Sequence, residues 1–332
     1  MIMNVCASTL QPGYDGYSPT ALKKLFGGKP TSPILEIDFE KDVNREDVAS
    51  NMDRISVSGV QEKMSAIVDN GKIRLCQPNE RSTHILKPAP LDYDLKARHL
   101  IPANEHLTMQ IASQAFGIVT AENGLCFDLK GRAVYITRRF DIMPDGSKTQ
   151  MEDFAALIGK TEVANGKYYK YEGCYEDIAV AIKRYVAAWP IAIERFFNLV
   201  VFNYIYGNGD AHLKNFSLQR INGEFVLAPA YDLMNTSIHI DGDDLGLNGG
   251  LLRSGWRSDA FDRTGHPCIE DFETFGKQIG VKSSRLDAML DSYTAIPEKG
   301  MQLIEHSFLD NKNKRSYIRI VEERISRFKR IT

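Results

Sequence analysis

Cysteines are few in this sequence, and their distribution argues against a cross-linked or zinc-bound fold. Five cysteines are scattered singly over 332 residues, without the close pairs of a zinc site or the regular spacing of a disulfide framework. No apolar run approaches the ~20 residues that a membrane-spanning helix needs. Residues 1–11 also lack the charged start and the long apolar core of a secretory signal. These absences predict a cytoplasmic protein with reduced thiols.

A large excess of charge of either sign is also missing. The formal net charge is −2 at neutral pH, so the sequence predicts no general affinity for nucleic acid or acidic membranes. The charged fraction of 25% and the hydrophobic fraction of 43% are ordinary for a globular protein. A chain of 332 residues exceeds one typical hydrophobic core, which predicts two lobes.

The densest polar cluster of the chain lies within residues 206–217. It follows an apolar stretch, 196–206, that is typical of a buried helix, and it opens with a tight turn at Gly207-Asn-Gly209. The polar residues that follow this turn are Asp210, His212, Lys214 and Asn215. A loop held by rigid elements at both ends is a common place for functional side chains.

A β-hairpin is predicted directly after this cluster. Asn222-Gly223 favours a tight hairpin turn within residues 216–228, and the return strand leads to Asp232. Because a hairpin brings its two ends together, Asn215 and Asp232 should be neighbours, with Asp210 close by.

These three side chains suit phosphoryl transfer. Mg²⁺ prefers few protein oxygens together with water and phosphate oxygens, which an Asn and an Asp can supply. The spacing of Asp210 and Asn215 matches the kinase catalytic loop, in which the Asp orients the acceptor hydroxyl. His212 or Lys214 could stabilise the transferring phosphoryl group, and His212 could equally be a packed loop residue. The alternative for the whole set is that it only caps turns around the hairpin.

The first half of the chain is predicted to be rich in strands. Residues 54–68 alternate small or polar residues with apolar ones and lead into a hairpin turn at Asn70-Gly71. Further strands are predicted over 83–88 and 134–140. Ser56-Val57-Ser58-Gly59 precedes the first hairpin. Its amides and hydroxyls could contact phosphate oxygens, or it could be an ordinary polar turn.

A lysine and a glutamate in this half extend the pattern. Lys87 lies at the end of a predicted strand, and Glu105 lies at the start of the helix predicted over 104–116. A strand Lys and a helix Glu at such a spacing are typical of the pair that positions ATP phosphates in protein kinases. Alternatively, Lys87 is a solvated residue on a sheet edge.

Helices dominate the second half of the predicted chain. Residues 161–174 are polar and rich in tyrosine, which predicts an exposed excursion. A short helix near the N-terminus begins at Ser18 as its N-cap, with Pro19 in the first turn. The other predicted helices cover 151–158, 177–189, 191–206, 271–279, 284–295, 300–308 and 314–328.

Several of these motifs together resemble those of HipA-type Ser/Thr protein kinases, which are toxins of bacterial toxin–antitoxin systems. The short N-terminal segment and the two serines of Ser56-Val-Ser58 look most like the compact HipT branch of that family. The motifs are Ser56-Val-Ser-Gly-Val-Gln-Glu-Lys63, His84-Ile-Leu-Lys-Pro88, Asn104-Glu-His106, Arg139-Phe-Asp141, Met151-Glu-Asp-Phe154, Asn208-Gly-Asp-Ala-His-Leu-Lys-Asn-Phe216 and Ala230-Tyr-Asp232.

The resemblance implies an α+β, two-lobed protein-kinase-like fold related to phosphoinositide kinases, with ATP and Mg²⁺ as cofactors. The expected divisions are an N-terminal segment, 1–50, that packs on a strand-rich lobe, 51–143, and a helical lobe, 144–332. The implied roles are Asp210 as catalytic Asp, Asn215 and Asp232 as Mg²⁺ ligands, Lys87 as phosphate-binding Lys, Arg138 to Phe140 near the adenine, and Ser56 to Gly59 as a loop over the phosphates, with Ser56 and Ser58 as autophosphorylation sites.

Partners follow from the same resemblance. Family substrates include aminoacyl-tRNA synthetases, and the expected partners are a small helix-turn-helix antitoxin and, in the HipT branch, a separate small protein like the N-terminal subdomain that this chain is expected to lack. DNA would be contacted only through the antitoxin. Two other functions stay open: a catalytically silent binding module of a toxin–antitoxin complex, and a kinase for a small molecule or lipid.

Overall fold

The computed structural model describes residues 4–39, 62–90, 95–143 and 145–328. These residues form two compact units, which are described in turn. The first unit contains the chain up to Ile142 together with Ile238–Ile240 and Glu298–Lys314. The second contains Met143–Ser237, Asp241–Pro297 and the chain from Arg315 onward. Two short segments that the sequence assigned to the helical lobe thus group with the strand-rich unit.

The first unit is organised around a five-stranded antiparallel sheet. In their order across the sheet, the strands are Lys72–Leu75, Met64–Asp69, His84–Lys87, Ala133–Arg138 and Asn123–Phe127. The predicted turn at Asn70-Gly71 is confirmed, and both residues have positive φ, 48° and 77°, as a tight hairpin turn requires.

One long helix, Ile101–Phe116, packs against the strands Ala133–Arg138 and Asn123–Phe127. Its residues from Ile101 to Ala112 are all buried, because the helix also packs against a second helix of this unit, Glu298–His306. It ends at Gly117, whose φ of 63° lies in the left-handed region that stops a helix. The helix predicted over 104–116 is therefore confirmed and begins three residues earlier.

The N-terminal part of the first unit carries the predicted short helix, Pro19–Phe26. The Ser18 hydroxyl accepts a hydrogen bond from the Ala21 amide at 3.2 Å, so the predicted N-cap is confirmed. A two-stranded parallel sheet, Val5–Cys6 with Asp15–Gly16, precedes this helix.

The second unit is mainly helical. A three-stranded antiparallel sheet lies within it, in the order Glu224–Leu227, Ser217–Ile221 and Met151–Asp153. Its helices are Phe154–Leu157, Glu162–Asn165, Tyr175–Tyr185, Trp189–Ile205, Asp259–Thr264, Ile269–Ile279, Ser283–Asp291 and the part of Asn311–Arg327 from Arg315 onward. None of the helices in the described part of the chain combines the length and apolarity that crossing a bilayer requires.

The helix predicted over 151–158 is wrong in its first half. Met151–Asp153 is a strand that pairs with Ser217–Ile221, and only Phe154–Leu157 is helical. The reason is the Asp153 side chain, which accepts a hydrogen bond from the Ala156 amide at 2.9 Å. An N-cap residue has extended backbone, so the helix cannot begin before residue 154.

The apolar helix Trp189–Ile205 forms the centre of the second unit. Pro190 lies in its first turn, where its missing N–H costs nothing. Two helices are present as predicted, but the break between them lies at residues 186–188 and not at Pro190. Phe196 contacts Phe216 and Phe275 edge-on, with ring centroids 5.4 and 6.5 Å away. This packing anchors the middle of the helix, whose C-terminal end leads into the polar cluster.

Candidate functional site

In the first unit, Lys87 and Glu105 form a buried ion pair. The Lys87 Nζ lies 2.5 Å from the Glu105 Oε1, and each side chain is only 2% exposed. The ammonium also lies 5.1 Å from the centre of the Tyr135 ring, on the strand that pairs with the Lys87 strand. Lys87 is therefore not a solvated edge residue. The pair holds a positive charge at the end of a central strand.

In the second unit, the turn after the helix Trp189–Ile205 is tightly constrained. Gly207 has a φ of 70°, and a Cβ at this position would lie 2.7 Å from the Asn235 Oδ1, so only glycine fits without rearrangement. Asn208 donates to the Asn203 Oδ1 at 2.8 Å and accepts from the Asp210 amide at 3.3 Å. The turn thus places Asp210 in a fixed backbone position.

Asn215 is held against Asp210. Its Nδ2 donates to the Asp210 carbonyl oxygen at 2.9 Å. An asparagine ligates a cation through Oδ1, and here the nitrogen end of the amide is the one used for the backbone contact. The contact within the loop therefore uses the Nδ2 end of the Asn215 amide and not the Oδ1 end.

The hairpin that follows returns the chain to the same place. Ser217–Ile221 pairs with Glu224–Leu227, which confirms the predicted hairpin. Beyond it, the Tyr231 hydroxyl donates to the Lys214 carbonyl oxygen at 2.9 Å, so the residue before Asp232 contacts the residue before Asn215. Asp232 itself has a φ of 57°, which is uncommon for a residue other than glycine and often accompanies functional sites.

His212 and Lys214 occupy different surroundings in this loop. His212 is fully buried, with its Nε2 4.0 Å from the Asp210 Oδ1, and its ring packs against the Tyr171 ring in a T-shaped arrangement. Lys214 is partly buried, and its Nζ lies 3.4 Å from the Tyr169 hydroxyl. Burial favours a packing role for His212, whereas the ammonium of Lys214 is the more accessible charge.

Of the other residues that the sequence predicted to bind the nucleotide, the structure describes Arg138 and Phe140, and their positions do not by themselves indicate this role. The Arg138 guanidinium donates to the Lys24 carbonyl oxygen at 3.0 Å, and Phe140 is partly buried just after the same strand. Ser56, Val57, Ser58 and Gly59 lie outside the described residues.

Two tyrosines contact the Asp210 loop, and the sequence did not predict them. The Tyr171 hydroxyl donates to the Asp210 Oδ1 at 2.8 Å, and the Tyr175 hydroxyl donates to the Ala211 carbonyl oxygen at 2.9 Å. The prediction of an exposed excursion over 161–174 is therefore wrong at its C-terminal end. The tyrosine content of that stretch was the only signal in the sequence.

Burial and the Asp210 charge raise the pKa of the Tyr171 phenol well above its ordinary value. The phenol therefore keeps its proton at neutral pH and acts as a hydrogen-bond donor to the carboxylate.

A strand Lys paired with a helix Glu, and an Asp-x-x-x-x-Asn loop followed by a hairpin and a further Asp, belong to a protein-kinase-like fold. Two solved structures share the fold. One is the HipA chain of a Shewanella oneidensis HipA–HipB–operator DNA complex, with a TM-score of 0.62, 18% identity and coverage of 83% of this chain and 65% of that one. The other is the Helicobacter pylori proinflammatory kinase CtkA, with a TM-score of 0.50, 17% identity and coverage of 79% and 93%.

The sequence itself identifies the family. Residues 55–299 match the sequence model of the HipA-like C-terminal domain, and the chain belongs to this family. A Haemophilus influenzae protein named "Putative kinase" is 26% identical over 92% of both chains. Sinorhizobium fredii "Putative kinase Y4dM" is 32% identical over 58% of this chain and 47% of its own length. The alignment with this rhizobial relative thus spans less than half of the relative.

Proposed function

We propose that this protein is an ATP-dependent serine/threonine protein kinase of the HipA type. The observation that carries the proposal is the buried pair of Lys87 and Glu105, 2.5 Å apart and almost fully excluded from solvent. A buried ion pair is seldom more stabilising than apolar residues of the same volume, so folding alone does not explain its presence. Positioning of a lysine for nucleotide phosphates does explain it.

The second unit provides residues suited to the cation and the acceptor. Asn215 and Asp232 supply the amide and carboxylate oxygens that Mg²⁺ accepts, so the donor set fits the ion that kinases require. When bound, Mg²⁺ neutralises charge on the nucleotide phosphates. Asp210 accepts the proton of the acceptor hydroxyl, and Lys214 offers a positive charge to the transferring phosphoryl group. His212 remains a second candidate for that charge.

Ser56 and Ser58 are the proposed sites of autophosphorylation. A phosphate adds about −1.5 to −2 charge, which would oppose the phosphates of bound ATP if this segment covers them. Phosphorylation of either serine would thus inactivate the kinase.

The biological role that we propose is that of a toxin in a bacterial toxin–antitoxin system, acting in the cytoplasm. The Shewanella HipA is seen in a complex with HipB and operator DNA, which supports a small helix-turn-helix antitoxin as partner here. An aminoacyl-tRNA synthetase is the proposed protein substrate, because its phosphorylation would stop translation. A separate small protein that resembles an N-terminal kinase subdomain is a further proposed partner.

The experiment that tests the activity is phosphate mapping after incubation of the purified chain with MgATP. Mass spectrometry should find phosphate on Ser56 or Ser58 in the wild type and none in Asp210→Asn. A wild-type chain that binds MgATP but transfers no phosphate to itself or to proteins of a cell lysate would favour a silent binding module. Phosphate recovered only on lipids or metabolites of the lysate would favour a small-molecule kinase.

A further inference from the structure

The tyrosine-bearing segment that precedes the helix Tyr175–Tyr185 is anchored to the fold at several points. The Asn248 amide donates to the Tyr171 carbonyl oxygen at 2.9 Å, and the Gly249 amide donates to the Gly173 carbonyl oxygen at 2.9 Å. A Cβ on Gly249 would lie 2.6 Å from that same oxygen, so the two backbones are in close contact. The backbone of residues 171–173 is therefore held in a fixed position beside the Asp210 loop.

The side chain of Tyr171 is fixed as well. Its ring contacts His212 edge-on, with centroids 5.1 Å apart and planes at 80°, and the Lys170 ammonium lies 4.9 Å from its ring centre. These contacts direct the hydroxyl to the Asp210 Oδ1 at 2.8 Å. Because the Tyr171 hydroxyl is itself held in place, its hydrogen bond restricts the rotation of the Asp210 carboxylate.

The backbone of Asp210 is held by different groups. Its amide donates to Asn208, and its carbonyl oxygen accepts from the His212 amide at 2.8 Å and from Asn215 at 2.9 Å. Removal of the Tyr171 hydroxyl would leave these contacts in place. The hydroxyl therefore acts on the orientation of the carboxylate and not on the path of the loop.

We infer that Tyr171 is a positioning residue for phosphoryl transfer: its hydroxyl binds the Asp210 Oδ1 and so fixes the orientation of the carboxylate for the acceptor hydroxyl. This inference rests on the proposed kinase function. The phenol does not take part in the reaction, and it keeps its proton throughout. The hydrogen bond holds the Asp210 carboxylate in the orientation that an incoming serine needs. Without this bond, the carboxylate would sample several rotamers and would adopt that orientation only part of the time.

Tyr171→Phe tests the inference because it removes one oxygen and keeps the ring that contacts His212. We expect the rate constant of phosphate transfer at saturating MgATP to fall about 10- to 100-fold, the range expected for the loss of one hydrogen bond to a charged group. The dissociation constant for MgATP, measured by calorimetry, should change by less than about twofold, since Lys87, Asn215 and Asp232 are unaltered.

Tyr168→Phe is the matched control. Tyr168 lies three residues earlier in the same segment, is 67% exposed, and should tolerate the loss of its hydroxyl with no change in rate. Thermal denaturation of both variants distinguishes a positioning role from a structural one.

The outcomes separate the two proposals. A Tyr171→Phe rate within twofold of the wild type, or above it, would overturn the positioning role and leave the kinase function intact. A loss of rate that is accompanied by an equal loss of MgATP affinity and a large drop in melting temperature would show a structural role only. A wild-type chain without phosphate transfer would overturn both.

Discussion

The ion pair between Lys87 and Glu105 offers a prediction whose magnitude follows from burial. Lys87→Met replaces the ammonium by an apolar group of similar length, and Glu105→Gln removes the negative charge at nearly constant volume. Each single substitution leaves one charge buried at 2% exposure without its partner. Breaking a buried pair in this way costs about 3–5 kcal/mol, a large share of the ~5–15 kcal/mol that stabilises a typical folded protein.

The double variant should be more stable than the sum of the two single losses predicts. With both charges removed, no unpaired ion remains in the interior, and we expect a coupling energy of about 2 kcal/mol or more. The assay is urea denaturation of the four proteins, followed by circular dichroism so that the strand-rich unit contributes to the signal.

Lys72 and Glu36 provide a matched control in the same unit. Their charged atoms lie 2.6 Å apart, but their side chains are 62% and 68% exposed. Water and salt screen such pairs, so the same cycle of substitutions should give almost no coupling. Equal coupling energies for the two pairs would refute the reasoning, because the pairs differ in burial and hardly in distance.

Three further predictions concern the metal, pH and a close backbone contact. Asp232→Asn should raise the Mg²⁺ concentration needed for half-maximal phosphate transfer, and an unchanged Mg²⁺ titration would argue against its role as a ligand. Burial lowers the pKa of both His84 and His106 to about 4, below the ~6.5 of an unfolded chain. The unfolded state therefore binds more protons as pH falls, so the urea midpoint should decrease between about pH 6.5 and 4, and a flat profile would contradict this. Gly209→Ala should lower the melting temperature, since a Cβ would lie 2.3 Å from the Asp243 carbonyl oxygen; an unchanged melting temperature would show that the backbone there can shift.

Local chemistry made the hairpins and the first helix predictable. Asn70-Gly71 and Asn222-Gly223 both form the tight turns that Asn-Gly favours, and Ser18 caps the helix that Pro19 begins. In each case the residues that decide the structure are neighbours in the chain. The order of Lys87, Glu105 and the Asp210 loop along the chain was predictable for a similar reason. The spacing of these motifs is a property of the sequence and does not depend on knowledge of any tertiary contact.

Elements whose residues depend on distant partners could not be predicted. Asn123–Phe127 is a strand in which all five residues are buried, so it lacks the alternation that identifies a strand in sequence. Met151–Asp153 is a three-residue strand that exists only because Ser217–Ile221 lies beside it. Tyr171 reaches Asp210 across 39 residues of chain, and no local pattern indicates that contact.

The assignment of a helix to one of the two units could not be predicted from the sequence either. The helix Glu298–His306 belongs to the first unit because it packs against Ile101–Phe116. Its amphipathic pattern predicts a helix with one apolar face, and the pattern is equally compatible with packing in either unit. Which surface covers that face is decided by tertiary structure alone.

Transfer of the γ-phosphate of ATP to protein is the measurement that tests the central claim most directly. The purified chain is incubated with γ-labelled ATP and Mg²⁺, and label in protein is counted for the wild type and for Asp210→Asn. We predict label on serine in the wild type and a loss of at least about 100-fold in the variant, since the role proposed for Asp210 combines proton acceptance with orientation of the acceptor. Equal labelling of the two proteins, or no labelling of a wild type that binds MgATP, would contradict the account.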